Sequence, residues 1–176
     1  MPSLTYRKAT HGDVPALKQL IEQVTLGVSS RNYDSEQCKA ALAWVFGVDT
    51  SIIEDGTYYV ACDGNRIAAC GGWSKRARPF GGDASETGEN TLLDPACEAA
   101  KIRAFFVHPD YLRQGIGLHL LKISEEAARS EGFVRFTMTA TLSGERFYTA
   151  AGYNVVEYIS LKRDGYADFP AVLLSK

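Results

Sequence analysis

Four cysteines in 176 residues, Cys38, Cys62, Cys70 and Cys97, include no C-x-x-C pair, which removes zinc knuckles and dithiol redox chemistry from consideration. They read as reduced, partly buried small hydrophobes. Histidine is scarce as well. His11, His108 and His119 have no metal-ligand spacing and no G-x-S-x-G partner, so no metal and no serine-hydrolase site are expected. An excess of positive charge is also missing, with 19 Lys and Arg against 21 Asp and Glu. A net charge of -2 gives no long-range pull toward nucleic acid or an anionic surface, so neither is expected as a partner. No stretch offers the roughly 20 apolar residues of a membrane span, and Arg7 and Lys8 stand among polar residues near the start. A soluble, cytoplasmic protein without a membrane partner is the expectation. Repeats and low-complexity tracts are absent too.

What is present is a regular alternation of elements, expected to form one domain over residues 1–176. Residues 3–9 suit a strand. Asp13 then suits an N-cap before Val14, Leu17, Ile21 and Val24 at helical spacing. After the polar link Gly27 to Tyr33, Asp34 and Gln37 have the spacing of a capping box, and Cys38, Ala41, Leu42 and Val45 continue one helical face. Residues 57–62 and 66–73 flank the turn signal Asp63-Gly64-Asn65 and predict an antiparallel pair. Ile102 to Val107 reads as a central strand that His108-Pro109 ends. Ile116, Leu120, Ile123 and Ala127 predict a helix stopped by Gly132, followed by a strand over 133–139, hence a right-handed parallel crossover. Ser143 can cap a short helix through Ala151, and strands over 153–161 and 169–174 close the chain. The fold class is therefore mixed α/β, a sheet of six to seven strands with about four helices on its faces.

Residues 74–99 break this pattern. Loops beyond about 12 to 15 residues are usually either functional or disordered, and both readings stand here. The functional one is a flap over a pocket, with Arg76 or Arg78 available for an anionic group on a substrate.

The chemistry concentrates at Leu112-Arg113-Gln114-Gly115-Ile116-Gly117-Leu118, between a strand and a helix, where unpaired amides and the helix dipole favour an anion. A dinucleotide fingerprint needs a third glycine where Leu120 stands, and a Walker loop needs Gly-Lys-Ser/Thr, which is missing. Together with Ile102 to Leu121, with Phe147-Tyr148 followed by Gly152-Tyr153, and with the opening Arg7 to Asp13, the segment resembles the GNAT family of N-acetyltransferases. That family's pyrophosphate motif is Q/R-x-x-G-x-G/A. Gly115 and Gly117 match it, while the Q/R position falls on Leu112, beside Arg113 and Gln114.

The resemblance implies a largely antiparallel GNAT-like sheet and acetyl-CoA as the coenzyme, held by residues 112–118. It implies that a bulged central strand pairs with the pantetheine arm through the backbones of Phe105 and Val107, while an amide near Phe106 faces the thioester oxygen. Tyr148 matches the family tyrosine that protonates the departing thiolate, and Ser143 stands where many members have an asparagine against the arm. Lys101 stands where some relatives have a glutamate base, which leaves a water chain or a loop carboxylate such as Glu98. The acceptor is expected between the first two helices and the 162–168 loop, with Tyr33, Arg76 and Arg103 as its candidate contacts. The implied reaction is direct transfer of the acetyl group to a primary amine, most simply of a small molecule. The alternatives are a protein or peptide N-acetyltransferase and a non-catalytic CoA-binding module. Relatives often pair as dimers, so a homodimer is compatible with this reading.

Overall fold

The computed structural model describes residues 3–85 and 88–176; Glu86 and Thr87, within the 74–99 segment, lie outside the described residues. Seven strands form one sheet: β1 (Thr5–Lys8), β2 (Tyr58–Asp63), β3 (Arg66–Ser74), β4 (Ala100–Val107), β5 (Phe136–Thr141), β6 (Asn154–Leu161) and β7 (Phe169–Ser175). Their spatial order is β1-β2-β3-β4-β5-β7-β6, and every pair is antiparallel except β4 with β5. The helices are α1 (Val14–Gly27), α2 (Ser35–Ala40), α3 (Thr50–Glu54), α4 (Ile116–Ser130) and α5 (Glu145–Ala150). Among the described residues no helix is long and apolar enough to cross a membrane.

The sheet is covered on both faces. α1 buries Leu17, Leu20, Ile21 and Val24 with Ile52 of α3 against Val60 of β2, while α4 buries Leu120, Leu121 and Ala128 with Trp73 and Phe133 on the other side. β2 and β3 are therefore buried along nearly their whole length, which explains why they read as apolar runs and not as alternating patterns.

Several local expectations change. Asp13 does not cap α1 through its side chain. It accepts from the Thr10 amide (2.8 Å) and from both Arg7 nitrogens (2.7 and 2.8 Å), and so closes the 3-10 turn that precedes the helix. The Asp34–Gln37 box forms as expected. The face meant to continue through Val45 is interrupted, because α2 ends at Ala40 and the chain passes through a π-helical turn, Ala41–Val45, closed by Phe46 N–H on the Ala41 carbonyl (2.7 Å). The wider turn buries Trp44 and Val45 and leaves Leu42 half-buried. Helix α3 was not anticipated at all.

The described part of the 74–99 segment is pinned to the body. Asp83 N–H reaches Val48 O (3.0 Å) and Ser85 Oγ donates to the Trp44 carbonyl, while Ala77 N–H to Thr91 O (2.9 Å) and Leu93 N–H to Lys75 O (2.8 Å) tie the two arms of the segment to each other.

The central strand bends where it matters. Cys70 pairs with Phe106 but Gly72 with Arg103, so two residues of β4 face one of β3, and Ala104 takes a left-handed φ of 58°. Gly71 is required there: a Cβ would lie 2.6 Å from the Phe105 ring. β4 pairs with β5 only at Ala100–Phe136 and Lys101–Thr137, and beyond Lys101 the two strands part.

Candidate active site

The parting of β4 and β5 opens a groove of about 770 Å³ across the sheet. Its floor follows from strand geometry. His108 N–H bonds Ala68 O (2.9 Å) and the Phe106 amide points to the Cys70 thiol, so both face β3. Successive backbone groups alternate between the two edges of a strand, and Phe105 and Val107 therefore present their N–H and C=O groups to the side that β5 has left. This corrects one expectation: the Phe106 amide faces away from the groove, and the amides open to it are those of Phe105 and Val107. The Phe106 side chain still lines the groove.

At one mouth of the groove the chain leaves β4 through the turn Pro109–Tyr111, anchored by the Tyr111 hydroxyl donating to Asp63 (2.7 Å). Arg113 (φ 64°) and Gly115 (φ 77°) are both left-handed, and α4 then starts at Ile116 with no side chain capping it. Its first amides lack intrahelical acceptors by construction and carry the positive end of the helix dipole. Leu112, Arg113, Gly115, Ile116, Gly117 and Leu118 line the groove, whereas Gln114 turns back to donate to the Asp110 carbonyl (3.2 Å). A Cβ on Gly117 would sit 3.4 Å from Phe147 and 3.6 Å from Val107, so anything longer would enter the space between them.

Tyr148 forms part of the opposite wall. Phe105, Phe147 and Tyr153 hold its ring edge-on, with centroids 6.2, 4.8 and 6.1 Å away. Burial pushes its phenol above the usual 10, so it stays protonated at neutral pH. Ser143 lines the groove but does not cap α5; that turn is closed by Gly144 N–H on Thr141 Oγ1 (3.1 Å), and Ser143 Oγ instead accepts from Asn32 (3.2 Å).

The other half of the groove is walled by Val24 and Val28 of α1, Phe46, Phe80, Leu161 and Phe169, with Arg31 at its rim. The three expected acceptor contacts fare differently. Arg103 lines the groove but is 4% exposed, and its guanidinium binds Asp49 (2.6 Å), the N-cap of α3, and the Gly81 carbonyl. Burial would raise the Asp49 carboxyl, yet the Arg103 charge and bonds from Ser51 hold it below its ordinary value. Arg76 is tied in a fork to Asp55 (2.7 and 2.9 Å), away from the groove. Tyr33 is a structural pin, donating to Pro170 O (2.7 Å) and accepting from Leu142 N–H (2.8 Å). Arg78 approaches Asp49 at 4.0 Å. Lys101 donates to Thr137 (3.2 Å), and Glu98 accepts from the Asp94 amide (2.7 Å), so the carboxylate considered as a base is engaged in a turn outside the groove. Sequence reasoning missed Arg31, Phe46, Phe80 and Asp49; of these only Asp49 left a local signal, Asp-Thr-Ser ahead of an apolar pair, the pattern of a helix start.

Residues 54–155 match the family model for the acetyltransferase (GNAT) domain. Solved structures share the architecture. The GCN5-related N-acetyltransferase of Rhodopseudomonas palustris superposes with a TM-score of 0.71 at 17% identity, covering 100% of this chain and 96% of its own. The PaiA N-acetyltransferase of Thermoplasma acidophilum, solved with coenzyme A, gives 0.67 at 13% over 99% and 98%. The YncA protein of Salmonella typhimurium, a putative acetyltransferase solved with acetyl-CoA, gives 0.64 at 15% over 99% and 93%. No curated protein matches the chain in sequence.

Proposed function

The chain belongs to the GNAT family of acetyltransferases, and from that premise we propose that it moves the acetyl group of acetyl-CoA to the primary amine of a small molecule by direct attack. The observation that carries this reading is the coincidence of two unsatisfied backbone surfaces at one groove: the free edge of β4 past Lys101 and the uncapped start of α4. A pyrophosphate and a pantetheine arm have the complementary needs, anionic oxygens for the first and amide groups for the second.

When bound, the coenzyme supplies an activated thioester carbonyl. The amides of residues 116–118, with Arg113 beside them, hold the pyrophosphate. The Phe105 and Val107 backbones align the arm, and one of their amides donates to the carbonyl oxygen as negative charge develops there, worth ~3 kcal/mol by comparison with other oxyanion donors. Tyr148, protonated and lining the groove, donates its proton to the departing sulfur. An alkylamine acceptor must shed a proton at a cost of about 4 to 5 kcal/mol at pH 7, and water at the groove is the proton's route.

A small acceptor is favoured over a polypeptide because the 74–99 segment is packed tightly against the acceptor's half of the groove. Gly81 is bound by Arg103, and Gly82 packs on Gly47, where a Cβ on Gly47 would lie 3.2 Å from it. Thiol release from acetyl-CoA, followed over free amines and over peptides, tests the proposal. Turnover confined to free amines is expected, and turnover confined to peptides, or none with coenzyme bound, overturns it.

A further inference from the structure

Resting on the transferase reading, the acceptor's chemical class can be narrowed from charge. Every charged side chain lining the groove, among the described residues, is an arginine: Arg31, Arg103, Arg113 and Arg146. Three are accounted for. Arg103 is neutralised by Asp49, while Arg113 and Arg146 flank the half assigned to the phosphate-bearing coenzyme. Arg31 lies in the other half, exposed at the rim beside Val28, and its guanidinium meets no acceptor among the described residues. Its backbone is not free to wander. The next two residues are pinned, Asn32 to Ser143 Oγ (3.2 Å) and Tyr33 between Pro170 O and Leu142 N–H, which ties the link to the ends of β5 and β7. The same half is walled by the apolar Val24, Phe46, Phe80 and Phe169.

We infer that the acceptor is an amine with an apolar body that also carries a carboxylate, as a hydrophobic amino acid does, and that Arg31 is the residue that reads the carboxylate. A guanidinium presents two parallel donors to a carboxylate. The apolar wall takes the side chain. A polyamine or a lysine side chain would bring further positive charge against an unpaired arginine and gain nothing from the aromatic wall.

The test compares leucine, methionine and phenylalanine with their decarboxylated amines and with spermidine, by thiol release from acetyl-CoA. The expected result is a kcat/KM for the amino acids about 10- to 100-fold above the matched amines, as for one charge-assisted contact, with Arg31→Ala collapsing that ratio to near one through KM and Arg31→Lys restoring part of it. Equal use of the decarboxylated amines or spermidine, or a ratio that Arg31→Ala leaves intact, overturns the assignment while the transferase reading stands. Should no acceptor release thiol although the coenzyme binds, it is the transferase reading that fails. Calorimetric binding of the three amino acids to CoA-loaded wild-type and Arg31→Ala protein then decides the Arg31 assignment by itself: affinity lost in the variant supports it, and no binding or unchanged binding overturns it.

Discussion

The two halves of the groove are built on different principles. The half proposed for the coenzyme is made of backbone: the free edge of β4, the left-handed residues Arg113 and Gly115, and the open amides of α4, all within residues 105–118. The half proposed for the acceptor is made of side chains drawn from α1, the π-turn, the 74–99 segment and the ends of β6 and β7, which are neighbours only after folding. A ligand shared by a whole family suits a surface that most substitutions cannot alter. An acceptor particular to one protein suits a surface in which every residue is replaceable.

That contrast can be broken at several points. The largest effect is expected at the buried ion pair beneath the acceptor half. Arg103→Met leaves the buried Asp49 carboxylate with no cation nearer than Arg78 at 4.0 Å and should lower unfolding stability by roughly 3 to 5 kcal/mol in chemical denaturation. The double variant Arg103→Met with Asp49→Asn should recover a large part of it, and no recovery would mean that Arg103 matters through its Gly81 contact instead.

Next in size is Tyr148→Phe, where turnover should fall about 10²- to 10³-fold with coenzyme affinity within roughly 3-fold of wild type. Because burial raises the Tyr148 phenol, any alkaline loss of kcat from its deprotonation should begin above pH 10, and a tyrosine limb below that value would contradict the assignment.

Gly117→Glu should weaken coenzyme binding by about 100-fold in calorimetry, since it sets a carboxylate among the helix-start amides that favour an anion. Folding measured by circular dichroism should persist, and retained affinity would remove residues 115–118 from the coenzyme half.

The smallest effect belongs to a pair outside both halves. Arg7 holds the Asp13 carboxyl down at about 2, so this group's stabilisation is complete above its unfolded value near 4 and is lost as pH falls through about 2. Asp13→Asn should cost roughly 1 kcal/mol, because Arg7 is half exposed, and should flatten the acid limb of stability without altering coenzyme affinity.

The elements that were legible in the sequence are those whose cause is local. The Asp34–Gln37 box, the Asp63-Gly64-Asn65 hairpin and the strand-to-helix step at residues 107–116 are all fixed by side chains or glycines a few positions apart. Two expectations went astray at the same scale. The π-turn replaced the second half of the expected helix, burying Trp44 beside Cys38, Ala41 and Val45, and the bulge at Ala104 decided which β4 amides face the groove.

By itself the sequence determined the order of the strands, the glycine-bearing start of α4 and the place of Tyr148 in the chain, since helix periodicity, glycine conformation and motif spacing act over a few residues. Tertiary structure alone decided that Arg76 and Tyr33 serve the scaffold, that Arg103 is held by Asp49, and that Arg31 reaches the rim of the groove with no acceptor among the described residues. Those outcomes depend on which distant carboxylate or carbonyl each group meets once the chain has packed, and no local pattern encodes such a meeting.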